Sequence, residues 1–153
     1  MADTSLYEKK IGLLIWLTSN RWQSQLRNIL KNYRLSLNEY LILETIKILI
    51  KRDFSPNQIQ LSSFSGINES VVSVTLKSLL KKGLIKRNVD KDNRKKVINI
   101  STTGIKLFDE IYPYINDEEN ILFNKLQNEK SNFSNSLKLI LGKKIRIKVK
   151  KSL

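Results

Sequence analysis

Cysteine and histidine are both absent from the chain of 153 residues. Without cysteine, the protein has no disulfide, no thiolate nucleophile and no cysteine-ligated zinc. Without histidine, it lacks the commonest general base and the commonest transition-metal ligand. We therefore expect a protein that is not an enzyme and that requires no cofactor or metal.

Long apolar segments are also lacking. The two longest apolar runs, IGLLIWL and ILETIKILI, are too short or too interrupted by charge to span a bilayer. No basic segment followed by an apolar stretch and a small-residue cleavage site opens the chain. These features favour a cytoplasmic protein that has no membrane among its partners.

Acidic residues are scarce, since 14 Asp and Glu accompany 28 Lys and Arg and the net charge is +14. Such an excess points to a polyanionic partner, nucleic acid first and an anionic membrane surface second. A solvated, lysine-rich surface encoded by an A/T-rich genome would have the same composition. The placement of the charge along the chain has to decide between these alternatives.

The first half of the chain has a helical pattern with clear boundaries. Apolar residues at steps of three, four and seven predict a first helix over residues 5–33. A helix of this length is too long to bury its apolar stripe within one small domain, so we expect it to pack against a partner subunit. A second helix begins at a capping box of Ser36 and Glu39. A short third helix is predicted to begin after Asn57, with Gln60 reaching back, and to end at Gly66.

The second half alternates helix, hairpin and helix. The short turn GIN leads to a fourth helix, capped by Asn68 and ended by Gly83. Two β-prone stretches, LIKRNV and KVINIS, then flank a charged turn. Helix is predicted again after Gly104 over IKLFDEIYPYINDEENILFNKLQ, with a kink at Pro113, and over residues 132–141. The tail KKIRIKVKK suits an extended arm or a frayed cationic terminus.

This order predicts a mainly α protein with a small β-hairpin wing, a winged helix-turn-helix. The segment LLKKGLIKRNVDKDNRKKVINISTTG resembles the MarR family of bacterial transcription regulators. It matches the family's L-x-x-K-G-L-I-x-R, its D-x-R wing and its L-T-x-x-G, and the pair Leu35 and Ser36 matches an earlier L-T. The matching positions are Leu79, Lys82, Gly83, Leu84, Ile85 and Arg87, then Asp92 and Arg94, then Ile100, Ser101 and Gly104.

The resemblance implies a homodimer that binds double-stranded DNA. Residues 1–34 would form an N-terminal dimerisation helix, residues 35–102 the winged helix-turn-helix, and residues 103–153 the C-terminal dimerisation helices and basic tail. The implied function is that of a transcription regulator, acting as a repressor on pseudo-palindromic A/T-rich sites. The alternative is an architectural protein that coats DNA with little sequence preference.

The resemblance also implies which side chains meet DNA. The fourth helix would present Ser70, Val71, Ser73, Val74 and Lys77 to the major groove, with the serines donating hydrogen bonds and Val74 contacting a thymine methyl. The wing would contribute Lys91, Asn93, Arg94 and Lys95, with Arg94 at the minor groove and Asp92 orienting it. Without the resemblance, the alternative is that the serines are ordinary surface residues and that the wing is a solvated hairpin whose charges deter edge pairing.

Aromatic residues on the first and fifth helices are the last candidates. Family members often bind small aromatic effectors between the dimerisation helices and the DNA-binding domain. Trp16, Trp22 and Tyr112 would line such a pocket here. An aromatic stripe at helical spacing is equally compatible with core or dimer-interface packing.

Overall fold

The computed structural model describes residues 4–89 and 96–142, and the chain divides into two compact units, Met1–Asn116 and Asp117–Leu153. Helices and one hairpin make up the described part, which confirms the predicted mainly α fold. The α-helices are α1 Ile11–Leu30, α2 Leu37–Lys51, α3 Gln58–Ser65, α4 Glu69–Lys81, α5 Thr102–Phe123 and α6 Lys130–Ile140. The strands are β1 Ile85–Val89 and β2 Lys96–Ile100, and short 3-10 helices cover Thr4–Leu6, Lys31–Tyr33 and Asn124–Glu129.

Helices α2 and α3 begin at the predicted capping boxes. The hydroxyl oxygen of Ser36 accepts from the Glu39 backbone N–H at 3.1 Å, and the Glu39 carboxylate accepts from the Ser36 N–H at 2.9 Å. Asn57 and Gln60 make the same reciprocal pair, with both distances 2.9 Å. Gly66 ends α3 at φ +73, a conformation that residues with a Cβ adopt at a cost. Local side-chain chemistry therefore sets these boundaries.

The hairpin is antiparallel and is held to the helical part at its base. Its register pairs Ile85 with Ile100 and Val89 with Lys96. The Ile98 N–H donates to the carbonyl of Pro56 at 2.9 Å, which ties β2 to the segment between α2 and α3. The buried side chains of Ile85, Ile98 and Ile100 complete the core from the strand side.

The start of α5 explains the Ser101 and Gly104 motif. The Ser101 hydroxyl oxygen accepts from the Gly104 N–H at 3.0 Å and donates its own hydrogen to the Gly83 carbonyl at 2.6 Å. A Cβ on Gly104 would stand 2.0 Å from the carbonyl oxygen of Leu84, so only glycine allows this approach. The cap also places the first residue of α5 at Thr102, ahead of the predicted start after Gly104.

One hydrophobic core joins α1, α2, α4, β2 and α5 within the first unit. Its fully buried members include Leu30, Ile42, Leu76 and Ile111, each at 0% exposure. Phe108 of α5 stacks on Tyr40 of α2 with ring centroids 5.4 Å apart. This core fixes α4 from behind and leaves its opposite side to solvent.

The first helix is shorter than predicted and only its C-terminal half is buried in the protomer. Lys10 is extended (φ −62, ψ 151), so α1 begins at Ile11, where the apolar pattern begins, rather than near Ser5. Leu26 and Leu30 are buried, whereas five large apolar residues in the first two turns are between 40% and 74% exposed: Ile11, Leu13, Ile15, Trp16 and Leu17.

The second unit differs from the predicted helix boundaries by a few residues. Helix α5, which contains Pro113, ends at Phe123, and Gln127 (φ 47, ψ −123) interrupts helical geometry before α6 begins at Lys130. Left-handed φ at a non-glycine residue stops a helix, and the apolar pattern gave no sign of it. The basic tail lies outside the described residues.

Candidate nucleic-acid interface

Helix α4 has one buried and one exposed side. Val72, Leu76 and Leu79 are all 0% exposed and pack into the core. At the N-terminus, the Asn68 side-chain oxygen accepts from the Ser70 N–H at 2.9 Å, as the predicted cap requires. Because both the cap and the core hold the helix, its solvent-facing side chains have a defined direction.

The structure brings most of the predicted recognition residues together on the exposed side of α4. Ser70, Val71, Val74 and Lys77 are exposed, with Val71 at 37% and Val74 at 67%. Ser73 is half-buried, so it is less accessible than the other four.

Several hydroxyl groups on α4 already use their only hydrogen within the protein. Ser70 donates to the Asn68 side chain at 2.7 Å, Thr75 donates to the Val71 carbonyl at 2.7 Å, and Ser78 donates to Glu39. A serine hydroxyl has one hydrogen to give. Ser70 can therefore accept a hydrogen bond from DNA, but the donation we predicted for it would first require breaking its bond to Asn68.

A buried ionic network links the start of α2 to the end of α4. The Glu39 carboxylate is 4% exposed and accepts from the Lys82 ammonium at 2.8 Å and from the Ser78 hydroxyl, besides the Ser36 N–H. Lys82 also donates to the Arg34 carbonyl at 2.8 Å. Burial pushes the pKa of Glu39 upward, but the hydrogen bonds from Lys82, Ser78 and Ser36 outweigh it and hold the pKa below its ordinary value.

Sequence reasoning identified Glu39 only as a capping residue and Lys82 only as a motif position. Their contact spans 43 positions of the chain. No local pattern of charges indicated it, although a lysine placed just before the helix-ending glycine is a weak signal that it has a structural partner.

The predicted wing residues Lys91, Asp92, Asn93, Arg94 and Lys95 lie outside the described residues. The strands on either side are cationic and open to solvent, with Lys86, Arg87 and Lys96 all exposed. We had not assigned these three positions to DNA, yet they lie on the two strands of the hairpin that carries the predicted wing.

Tyr112 lines a groove of about 930 Å³ between α2, β2 and the start of α5. Ile48, Ile100 and Phe108 line it as well, and Lys47 lies 4.8 Å from the centroid of the Phe108 ring and pairs with Asp109. Neither predicted tryptophan is among the described residues that line this groove: Trp16 is 64% exposed on α1, and Trp22 packs partly buried against the core.

Within residues 4–89 and 96–142, no group of three or more acidic side chains is arranged to hold a metal ion. Across the same ranges, no helix combines the length and the apolar character that crossing a membrane requires.

A sequence match to a protein family covers most of the winged region. The family model described as "MarR family" matches residues 35–97, from the entry of α2 into β2. A curated relative, the uncharacterized HTH-type transcriptional regulator YdcH of Bacillus subtilis, is 26% identical over 131 residues, which is 85% of this chain and 88% of the relative. Over residues 35–97 the chain is therefore similar to the MarR family.

Two solved structures of protein–DNA complexes share the fold. The MepR–DNA complex of Staphylococcus aureus superimposes with a TM-score of 0.79 at 21% identity, covering 88% of this chain and 96% of MepR. A mutant MarR of E. coli complexed with operator DNA superimposes with a TM-score of 0.76 at 17% identity, covering 92% of this chain and 99% of that one.

Within the MarR family motif, most residues of this chain have structural tasks. Leu79, Leu84 and Ile85 are buried, and Gly83 adopts φ +69 at the end of α4. Lys82 holds Glu39. The motif thus builds the scaffold that supports α4 and the two strands of the hairpin.

Proposed function

We propose that the protein is a homodimeric DNA-binding transcription regulator that acts as a repressor on pseudo-palindromic A/T-rich sites. Helix α4 lies in the major groove in this proposal, and Arg94, oriented by Asp92, lies at the minor groove. Lys91, Asn93 and Lys95 contact the nearby backbone. The observation that carries the proposal is the exposed face of α4, held from behind by core and cap and bearing Ser70, Val71, Ser73, Val74 and Lys77 at increasing distance from the cap.

Charge and the structural neighbours support DNA as the partner. A net charge of +14 favours a polyanion, and two neighbours of the same fold were solved with DNA bound. Exposed Lys86, Arg87 and Lys96 add cations to the strands of the wing. Phosphate contacts from such residues supply affinity and register, whereas base contacts from α4 supply the sequence preference.

We propose that a second copy of the chain packs against the exposed N-terminal half of α1. Ile11 and Trp16 are 74% and 64% exposed, and monomeric proteins seldom leave such clusters in water. We assign residues 1–34 and 103–153 to dimerisation and residues 35–102 to DNA binding. Two-fold symmetry then places two α4 helices about one DNA turn apart, as a pseudo-palindrome requires. A regulator of transcription acts where the DNA is, so we place it in the cytoplasm.

A small aromatic effector is the proposed ligand of the groove beside Tyr112. Its volume of about 930 Å³ suits a small molecule, and Phe108 offers a ring for stacking. Because β2 and α5 both line this groove, a ligand there would bias the angle between the wing and the dimerisation helix and so change DNA affinity by linkage. Trp16 and Trp22 remain predicted contacts of the aromatic effector, and a second copy of the chain would be needed to complete that binding site.

Binding curves on two DNA fragments test the proposal. The full chain is titrated onto a fragment from upstream of its own gene and onto random-sequence DNA of equal length, at the same salt concentration. A specific regulator should prefer the upstream fragment by about a thousandfold or more. Equal affinities would contradict sequence-specific regulation and favour the architectural alternative, which the aliphatic surface around Val74 also permits.

A further inference from the structure

At the centre of its exposed face, α4 offers DNA the aliphatic carbon of two valines. Val71 and Val74 are 37% and 67% exposed, whereas Val72 on the opposite side is fully buried. The two exposed valines are three positions apart, so they lie next to each other on the helix surface. They form an apolar patch at the centre of the face that we assign to the major groove.

Polar groups able to compete with this patch for bases are few. Helix α4 contains no Arg, Asn or Gln, the residues that make bidentate bonds to guanine or adenine. The hydroxyl hydrogens of Ser70, Thr75 and Ser78 are already donated within the protein. Lys77 is exposed, but an ammonium on a flexible stem pairs with phosphate as readily as with a base.

We propose that Val71 and Val74 select sites by contacting the C5 methyl groups of pyrimidines. The thymine methyl is the one apolar group that the bases present in the major groove. A 5-methylcytosine carries a methyl at the same ring position, so the same valines should accept it in place of thymine. The inference rests on the proposed DNA-binding function and specifies its base preference.

The expected effect follows from the area that each methyl buries. Removing one methyl from an apolar contact changes an equilibrium constant by about fourfold. A dimer that contacts one methyl in each half-site should therefore lose roughly 15-fold in affinity when both methyls are absent.

The experiment compares DNA that differs only in those methyls. A duplex pool is selected from a random library with the full-length protein and then copied with either dTTP or dUTP. Deoxyuridine pairs as thymidine does and leaves the phosphates and the minor-groove edge unchanged. We expect the thymidine pool to bind roughly 15-fold tighter than the deoxyuridine pool. At a position where a single deoxyuridine weakens binding, 5-methylcytosine should bind about fourfold tighter than cytosine.

Two variants assign the effect to residues. The double variant V71A/V74A should bring the ratio of thymidine to deoxyuridine affinity close to one. The matched variant Lys77→Ala should weaken binding to both pools and leave the ratio unchanged. All three side chains are exposed, so melting curves should show that the variants fold as the wild type does.

Each failure has a separate meaning. Tight binding with equal affinity for both pools would overturn the methyl contact and leave the proposed function standing. An unchanged ratio in V71A/V74A would overturn the assignment to these valines. Failure to enrich any sequence from the library would overturn the sequence-specific function and this inference together.

Discussion

The buried carboxylate of Glu39 offers a test of how α4 is held in place. The substitution Glu39→Gln keeps the shape of the side chain and removes its charge. In the wild type, one carboxylate oxygen accepts from the Ser36 N–H at 2.9 Å and from the Lys82 ammonium at 2.8 Å, and the other accepts from Ser78. A glutamine can keep its carbonyl oxygen at the first position. Its amide then faces Ser78, whose hydroxyl can turn to accept.

The expected cost comes from weaker hydrogen bonds rather than from lost ones. A hydrogen bond to a charged group contributes about 1.5–3 kcal/mol, and one between neutral groups about 0.5–1.5 kcal/mol. The bonds with Ser36 and Ser78 change from the stronger to the weaker kind, while the free-energy cost of burying a charge is removed. Lys82 is 37% exposed, so water can solvate its ammonium when the partner becomes neutral. We expect the free energy of unfolding to fall by about 1–2 kcal/mol at pH 7.

The pH dependence separates the charge from the shape. The pKa of Glu39 in the folded protein lies below its ordinary value of 4.5, because the hydrogen bonds and the charge of Lys82 outweigh the effect of burial. A lowered folded-state pKa contributes stability that is complete above the unfolded-state pKa and is lost as pH falls through the folded-state pKa. The difference between wild type and Glu39→Gln should thus be constant above about pH 5.5 and shrink below about pH 4.5.

Chemical denaturation at fixed protein concentration, repeated from pH 7 downward, measures this difference. Glu8→Gln is the matched control, since Glu8 is exposed and the chemical change is the same. DNA affinity at pH 7 provides a second readout of how α4 is held. A stability difference below about 0.3 kcal/mol, or one that does not change with pH, would refute the reasoning, because surface pairs also contribute that little.

Three further predictions concern other parts of the molecule. Gly104→Ala should lower the free energy of unfolding by about 3 kcal/mol, because the added Cβ would clash with the backbone. The control Gly12→Ala has open space around it and should raise the free energy of unfolding by about 0.5 kcal/mol. Equal denaturation midpoints for the two variants would contradict the close approach at Gly104. Arg94→Ala should weaken binding mainly to sites with A/T-rich flanks. Lys77→Ala should weaken binding to all sequences and reduce the salt slope by about 1.8, since each of the two protomers loses one phosphate contact. Salt-dependent binding curves distinguish the two, and an Arg94→Ala protein that binds as the wild type does excludes the minor-groove role. Trp16→Glu should raise the dimer dissociation constant by about thirtyfold, and an unchanged sedimentation profile would show that α1 does not form the interface.

Local features of the sequence were sufficient to predict most of the secondary structure. The boundaries at Ser36, Asn57 and Asn68 are confirmed because each cap acts on backbone groups within three residues. Gly66 and Gly83 end their helices for the same local reason, a positive φ. The motif around these positions was also enough to indicate the similarity to the MarR family, since the residues that build the scaffold carry most of the motif.

The errors occurred where the local pattern was weak. The start of α1 moved from the region of Ser5 to Ile11 because Lys10 is extended, and the end of α5 moved to Phe123. Apolar periodicity extends through a helix but does not mark its ends when a capping residue is lacking. The start of α5 was predicted late although its cap, the bond from the Gly104 N–H to the Ser101 hydroxyl, spans only three residues.

The amino-acid sequence by itself determined the order of the elements and their caps, which depend on neighbours within about four residues. It also determined the surplus of positive charge, which is a sum over all residues. Only the tertiary structure decided that Glu39 meets Ser78 and Lys82 and that Val71 and Val74 face solvent. The physical reason is that the packing of the helices decides which side of a helix is buried and which distant charged residue a buried carboxylate meets. The same packing decides which side chains of α4 form its exposed face.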